Sequence, residues 1–191
     1  MPRRARIDAP GALQHIIVRG IERKRIFFDD QDRDEFVDRL GTVLTESSAR
    51  CYAWALIPNH FHLLLRSGNV SISNVMRRLL TGYALSFNRR HRRHGPLFQN
   101  RYKSILCQQE PYFLELVRYI HLNLLRAGEV GTIKELNRCY WSGHSALVGY
   151  RKREWQDTEY VLSFFGKGLT ARKRYLSFVR DGIPEGRRAD L

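Results

Sequence analysis

The sequence is poor in cysteine. The chain of 191 residues has three, Cys51, Cys107 and Cys139, and none of them belongs to a Cys-x-x-Cys pair. An odd number of widely separated cysteines excludes a disulfide framework and a zinc knuckle, and it is typical of reduced thiols in a cytosolic protein. Long apolar runs are also absent, since no segment approaches the roughly 20 residues that span a bilayer. The first residues contain no cleavable apolar segment, so we expect a cytoplasmic protein without a membrane partner.

Acidic residues are few in comparison with basic ones. The chain has 19 Asp and Glu against 33 Lys and Arg, which gives a net charge of +14. A positive charge of this size predicts a polyanionic partner, and the Tyr, Phe and His residues among the arginine clusters favour nucleic acid over a membrane. A basic protein without such a partner is the alternative interpretation. Apolar residues make up 43% of the chain, which is sufficient for a folded core.

The pattern of apolar residues predicts seven elements in the order strand, helix, strand, strand, helix, strand and helix. The strands are expected at 13–19, 51–57, 60–66 and 102–107, and the helices begin near Asp30, Ile72 and Pro111. The turn residues Pro58 and Asn59 join the second and third strands into a hairpin. The first six elements fit a split βαβ, ferredoxin-like antiparallel sheet with a central third strand, so the predicted fold class is α+β.

Two histidines, His60 and His62, stand one residue apart in the apolar stretch LIPNHFHLLLRS. Because residues i and i+2 of a strand share a face, we expect both imidazoles to project opposite Phe61 and Leu63. Two imidazoles in this arrangement can bind one divalent cation and leave positions open for a third protein ligand, water or substrate. A pair of histidines satisfied by hydrogen bonds on the sheet face is the alternative, and the pair by itself does not decide between the two.

The helix that begins at Pro111 contains Tyr119 and Asn123, which are four residues apart and therefore share one face. Asparagine has poor helix propensity, and its carbonyl oxygen is a suitable ligand for Mg²⁺ or Mn²⁺. Apolar residues take the packing face, namely Phe113, Val117, Ile120 and Leu124. We therefore expect the phenol and the amide to face the sheet and to meet the histidine pair there.

A tyrosine held against such a metal site predicts phosphoryl transfer. The phenolate would attack phosphorus and form a phosphotyrosine intermediate. An ordinary packing role is the alternative for Tyr119. Tyr112 is a rival nucleophile on a similar face, but it lies two turns earlier, too near the start of the helix to share a turn with Asn123.

Four segments together resemble the single-tyrosine HUH transposases, and in particular their domesticated branch, the REP-associated tyrosine transposases. The segments are His60-Phe61-His62, GYALSFNRRHRRHGPLFQNRYKS at 82–104, RYIHLNLLRAG at 118–128 and YWSGHSAL at 140–147. The resemblance extends from about residue 12 to about residue 147. It implies an HUH endonuclease fold with a catalytic domain at 1–150, followed by a basic helical extension at 151–191.

The family cuts single-stranded DNA at sites marked by hairpins, leaves a 5′-phosphotyrosine and a free 3′-hydroxyl, and reseals the strand by the reverse attack. By this resemblance Tyr119 is the catalytic nucleophile, and His60, His62 and Asn123 bind a divalent metal cofactor, Mg²⁺ or Mn²⁺. One departure is visible, because the family often has proline after this asparagine and the present chain has Leu124. The alternatives to a transposase are an inactive protein that binds nucleic-acid hairpins and a nicking enzyme of the replication-initiator type.

The basic stretch at 87–103 is expected to bind the DNA. Phosphates would be contacted by Arg89, Arg90, Arg92, Arg93, Arg101 and Lys103, and unpaired bases would stack on Phe98 and Tyr102. A solvated basic loop over the core is the alternative. His91 and His94 resemble a ligand pair, but the surrounding arginines would repel a cation. Three other histidines, His15, His121 and His144, are expected to be structural.

The extension is predicted to contain two short amphipathic helices, at 158–165 and 170–180. The second carries ARKRYLSFVR, and a basic amphipathic helix of this kind either grips hairpin DNA or caps the domain. The sequence leaves both roles open. It also leaves open whether the site is built within one chain or across a homodimer.

Overall fold

The computed structural model describes residues 10–107 and 111–184. It contains one antiparallel sheet in the order β2-β3-β1-β4. The strands are β1 (Leu13–Arg19), β2 (Arg50–Ile57), β3 (His60–Arg66) and β4 (Lys103–Cys107). This is the predicted α+β arrangement, and β3 lies in the interior of the sheet beside β1, as expected for a split βαβ order.

The helices pack on both faces of this sheet. They are α1 (Asp30–Ser47), α2 (Ile72–Arg90), α3 (Pro111–Arg126), α4 (Ile133–Arg138), α5 (His144–Leu147), α6 (Thr158–Ser163) and α7 (Gly168–Asp181). The two longest begin at capping side chains: Asp29 accepts a hydrogen bond from the amide of Asp32, and Ser71 accepts one from Asn74. Such caps satisfy amides that the first turn of a helix leaves unpaired. None of the helices in the described ranges is both long and apolar enough to cross a membrane.

Side-chain alternation along β3 separates two cores. Phe61, Leu63 and Leu65 are buried in the core that contains α1 and α2. Leu64 projects to the opposite face, where the second core contains α3. The imidazoles of His60 and His62 therefore face α3, because residues 60, 62 and 64 share one face of the strand.

The second core confirms the predicted packing face of α3. Phe113, Val117, Ile120 and Leu124 are all buried in it. The core also includes Val161 of α6 with Tyr175 and Val179 of α7. The C-terminal helices therefore cap the outer side of α3, which is one of the two roles left open for them; DNA binding by α7 stays a prediction.

Two further helices, α4 and α5, lie between α3 and α6, where the apolar pattern of the sequence predicts no element. Helix α4 is capped by Thr132, whose side chain accepts a hydrogen bond from the amide of Glu135. Helix α5 is only four residues long. Helices this short contain too few turns to display apolar periodicity, so the pattern could not reveal them. Other boundaries differ from the predicted ones by a few residues at most, as is common at fraying ends.

Candidate active site

The two histidines of β3 lie side by side on the face that α3 covers. The ring centroids of His60 and His62 are 5.2 Å apart. His62 is only 4% exposed, whereas His60 is half-buried at the start of the strand. The strand geometry predicted from the sequence is therefore present, with one imidazole deep in the site and the other near its edge.

Each of these imidazoles is held by a hydrogen bond at Nδ1. Nδ1 of His60 lies 2.6 Å from Oδ1 of Asn59, in the turn that precedes the strand. Nδ1 of His62 lies 3.0 Å from Nε2 of His15 on β1. A partner at Nδ1 fixes the ring orientation and leaves Nε2 as the nitrogen that can bind a metal ion.

The environment of His62 favours its neutral form. Burial is the largest cause, and electrostatic interactions with His15, His60 and Arg19 act in the same direction, so the pKa of His62 is well below its usual value. A neutral imidazole is the form that binds a metal. This side chain therefore needs no deprotonation near neutral pH before it can act as a ligand.

Tyr119 projects from α3 toward the same two strands. Its ring centroid lies 6.1 Å from that of His62 and 6.0 Å from that of His15, in edge-on contacts. The guanidinium of Arg126, two turns along α3, lies 5.4 Å from the Tyr119 ring centroid in a cation–π contact that orients the ring. Tyr119 is half-buried, so its ring is held in place without being sealed from solvent.

Asn123 follows Tyr119 by one turn of α3 and is 9% exposed. Its side-chain nitrogen is buried without a hydrogen-bond partner. The nitrogen and oxygen of an amide are interchangeable in such a placement, so either atom can occupy this position. A buried amide that lacks a partner is costly, and a ligand that pairs with it would remove that cost.

The candidate metal ligands are His60, His62 and Asn123. Within the described residues, no group of three or more His, Cys, Asp or Glu side chains could hold a metal ion. The predicted set contains only two such side chains, and its third member is the amide of Asn123. Two imidazoles side by side on the sheet and a buried amide on the facing helix fit a divalent cation that keeps other positions for water or substrate.

Tyr112, the rival nucleophile, lies in the first turn of the same helix and is 49% exposed. It is two turns from Tyr119, which is the tyrosine that contacts His62. The structure therefore brings together Tyr119 and the histidine pair, and it places Asn123 on the same face of α3. The cluster also contains His15, which is expected from the sequence to be structural and whose place beside His62 no sequence pattern indicates.

The basic stretch at 87–103 contains side chains in different environments. Arg89, Arg92, Arg101 and Lys103 are exposed. Arg93 is partly exposed, with its guanidinium 5.7 Å from the ring centroid of Phe87. The exposed members are basic side chains that are accessible to a phosphate backbone.

Arg90 differs from its neighbours because acidic side chains of α1 hold its guanidinium. It bonds to Asp29 at 2.7 Å and also to Asp32, whose side chain is 1% exposed. The guanidinium lowers the pKa of Asp29 to about 2, mainly through their hydrogen bond. His91 also contacts Asp32, at 2.8 Å. Arg90 and His91 thus attach the end of α2 to the start of α1.

The prediction that Tyr102 stacks on a base was wrong. Its side chain is 6% exposed and belongs to the core between the sheet and helices α1 and α2. A ring in that position has no face available to a nucleic acid. Phe98 is partly exposed and packs against the edge of the same core.

Residues 11–123 match the protein family described as transposase, IS200-like. No curated protein matches the chain. A solved structure of a REP-associated tyrosine transposase bound to a REP hairpin is similar in fold, with a TM-score of 0.61 and 18% identity over 81% of this chain and 91% of that one. A crystal structure of a candidate transposase from Deinococcus radiodurans R1 has a TM-score of 0.43 and 19% identity over 62% of this chain and 95% of that one.

Proposed function

Because this chain belongs to the IS200-like transposase family, we propose that it cleaves and rejoins single-stranded DNA at hairpin-marked sites through a phosphotyrosine intermediate on Tyr119. The family supports an enzyme that cuts and transfers DNA strands. The observation that carries the finer proposal is the contact between the ring of Tyr119 and the ring of His62, whose centroids are 6.1 Å apart. It brings a nucleophile to the face of the sheet that carries the histidine pair.

The chemistry is a transesterification. The phenolate oxygen of Tyr119 forms a bond to the scissile phosphorus, and the bond from phosphorus to the 3′-oxygen breaks. The departing 3′-oxygen takes up a proton and becomes a free hydroxyl, while the 5′-phosphate stays on the tyrosine. The reverse attack by a 3′-hydroxyl regenerates the phenol and rejoins a strand, so the cycle consumes no external energy source.

The histidine pair and the amide are the proposed metal ligands. His60 and His62 would bind Mg²⁺ or Mn²⁺ through Nε2, and Asn123 would bind through its side-chain oxygen. A bound divalent cation supplies charge neutralisation at the scissile phosphate. His15 and Asn59 hold the two imidazoles in fixed orientations, because they are the hydrogen-bond partners of Nδ1 of His62 and Nδ1 of His60, respectively.

The proposed DNA interface consists of exposed basic residues at the end of α2 and in the segment that follows it. Phosphates would be contacted by Arg89, Arg92, Arg101 and Lys103. Phosphate contacts fix the placement of a strand without reading its sequence. The similar transposase structure holds a REP hairpin, and we propose the same class of DNA partner for this chain.

The test is formation of a covalent adduct. The full chain would be incubated with single-stranded hairpin oligonucleotides and Mn²⁺, and the products would be separated on a denaturing gel. We expect an adduct with the wild type, none with Tyr119→Phe, and a normal yield with the matched control Tyr112→Phe.

The other outcomes are informative. An adduct that persists in Tyr119→Phe and disappears in Tyr112→Phe would assign the chemistry to the rival tyrosine. Hairpin binding by the wild type without any adduct would favour the alternative function, an inactive hairpin-binding protein. An adduct with origin-like DNA but none with repeat hairpins would favour a replication-initiator type of nicking enzyme.

A further inference from the structure

The candidate site contains a third histidine, His15, that lies on β1 beside the ligand strand. Residue 15 is paired with Leu64 in the β1–β3 ladder, so its side chain shares a face with His62 two residues away on β3. His15 is completely buried. Its ring centroid is 5.3 Å from that of His62, with the ring planes inclined by 24°. A buried polar ring in an apolar sheet requires an explanation by its partners.

Its partner is the ligand histidine itself. Nε2 of His15 and Nδ1 of His62 are 3.0 Å apart, which is a hydrogen-bond distance between two nitrogens. Only one proton can lie between them, so one ring must donate and the other must accept. The direction of this single bond decides the tautomer of His62.

Only one of the two directions is compatible with a metal ligand. If Nδ1 of His62 donates, Nε2 carries a lone pair and can bind a cation. If Nδ1 accepts, Nε2 carries the hydrogen and cannot bind one. Asn59 imposes the compatible arrangement on His60, because its carbonyl oxygen can only accept from Nδ1 of that ring. If Nδ1 of His62 donates, both ligand rings have a hydrogen-bond acceptor at Nδ1. The acceptor is Asn59, in the turn, for His60 and His15, on the neighbouring strand, for His62.

We propose that His15 is a positioning residue of the metal site, which accepts the Nδ1 hydrogen of His62 and so directs Nε2 of His62 toward the ion. The proposal rests on the proposed function, because it concerns how one of its metal ligands is held. His15 is not a ligand in this scheme, and it touches neither the substrate nor the ion. Its edge contact with Tyr119, at 6.0 Å between centroids, also fixes the distance between the nucleophile and the sheet.

The test compares two amides at position 15. In His15→Gln the amide oxygen can reach the place of Nε2 and accept the same hydrogen, whereas in His15→Asn the amide is too short to do so. Mn²⁺ would be titrated into the full chain without DNA, and the free ion would be followed by electron paramagnetic resonance. We expect nearly wild-type affinity for His15→Gln and a loss of about 10- to 100-fold for His15→Asn.

Controls separate positioning from folding. His144→Asn changes another fully buried histidine, on α5, and should leave the Mn²⁺ affinity unchanged. Denaturant unfolding and hairpin binding in the presence of a chelator would show that each variant is folded. If His15 is needed only for folding, His15→Asn will lower the free energy of unfolding, and the folded variant will still bind Mn²⁺ with the affinity of the wild type. That result would overturn the proposal.

Failure of the parent proposal gives a different result. If the wild type binds no Mn²⁺ at all, neither with nor without hairpin DNA, the metal site itself is wrong and the role of His15 is rejected with it. If the wild type binds Mn²⁺ and both amide variants bind it with the affinity of the wild type, only the role of His15 is rejected. Adduct formation by Tyr119 is measured separately and does not enter this comparison.

Discussion

The hydroxyl of Tyr175 on α7 lies 2.8 Å from Nδ1 of His121 on α3, the helix that carries the candidate nucleophile. The same hydroxyl lies 3.0 Å from Nδ1 of His144 on α5, and Nε2 of His144 lies 2.8 Å from Oδ1 of Asn137. Every one of these contacts is buried. The side of α3 that faces away from the sheet is therefore fixed by a polar network, while the opposite side presents Tyr119.

The contacts give each proton in this network one position. Asn137 accepts from Nε2 of His144, so Nδ1 of His144 accepts from the hydroxyl of Tyr175. The hydroxyl oxygen in turn accepts from Nδ1 of His121. Replacing Tyr175 with phenylalanine would leave both imidazole nitrogens without this partner in a buried setting.

We expect Tyr175→Phe to lower the free energy of unfolding by about 1–3 kcal/mol, because buried polar atoms lose their partner while the ring volume is kept. Urea denaturation of the full chain measures the change. The matched control is Tyr52→Phe, since Tyr52 is equally buried in the same core and its hydroxyl has no hydrogen-bond partner. The control should be neutral or stabilising, and equal losses in both variants would contradict the assigned network.

The same network predicts a pH dependence of stability. Burial lowers the pKa of His144 to about 3 from an ordinary value of 6.5. Below about pH 6.5, His144 therefore binds a proton in the unfolded chain but not in the folded chain. The free energy of unfolding decreases as the pH is lowered from 6.5 to about 3. For this one residue the loss reaches about 2 kcal/mol at pH 5.

Unfolding free energies measured between pH 5 and pH 8 would check this dependence. His144→Gln can still donate to Asn137 but cannot titrate, so its slope should be smaller even though its stability is lower. An unchanged slope in His144→Gln would show that other groups cause the dependence.

Neighbouring arginines at the end of α2 should have separable effects on DNA binding. Arg89 is exposed, so Arg89→Ala should weaken hairpin binding and reduce the slope of log affinity against log salt by about one phosphate contact. Arg90 is held by Asp29 and Asp32, so Arg90→Ala should lower stability and leave that slope nearly unchanged. Fluorescence anisotropy at several salt concentrations makes the measurement.

The same titrations test the C-terminal helix. Lys173 is exposed on α7, which caps α3. If α7 only caps the domain, Lys173→Ala will bind the hairpin with the salt slope of the wild type. If Lys173→Ala instead reduces the slope of log affinity against log salt as much as Arg89→Ala does, α7 also binds DNA.

The sequence predicts the parts of the site that depend on local periodicity. Alternation along β3 was sufficient to place His60 and His62 on one face, and helical spacing was sufficient to align Tyr119 with Asn123. The contact of His15 with His62 could not be predicted in this way, because it depends on β1 being the neighbour of β3 and on their register. Both are properties of the assembled sheet.

The burial of Tyr102, next to β4, and the ion pairs of Arg90, at the end of α2, also could not be predicted from the local sequence. Tyr102 lies next to exposed basic residues in the sequence, yet it enters the first core. Arg90 has the same neighbours, but its partner Asp32 lies 58 residues away along the chain. Charge patterning predicted the basic stretch as a whole, and it could not show which members are already engaged.

The site should be complete within one chain. The ring of Tyr119 contacts the rings of His62 and His15 of its own chain, with centroids 6.1 and 6.0 Å apart. Mixing two inactive variants, Tyr119→Phe and His62→Ala, should therefore restore no covalent adduct with hairpin DNA. In a homodimer that exchanges its nucleophiles, a mixed dimer would contain one intact site, and part of the wild-type adduct would return. Recovery of adduct in the mixture would contradict a site built in cis, even though each chain by itself shows the contact.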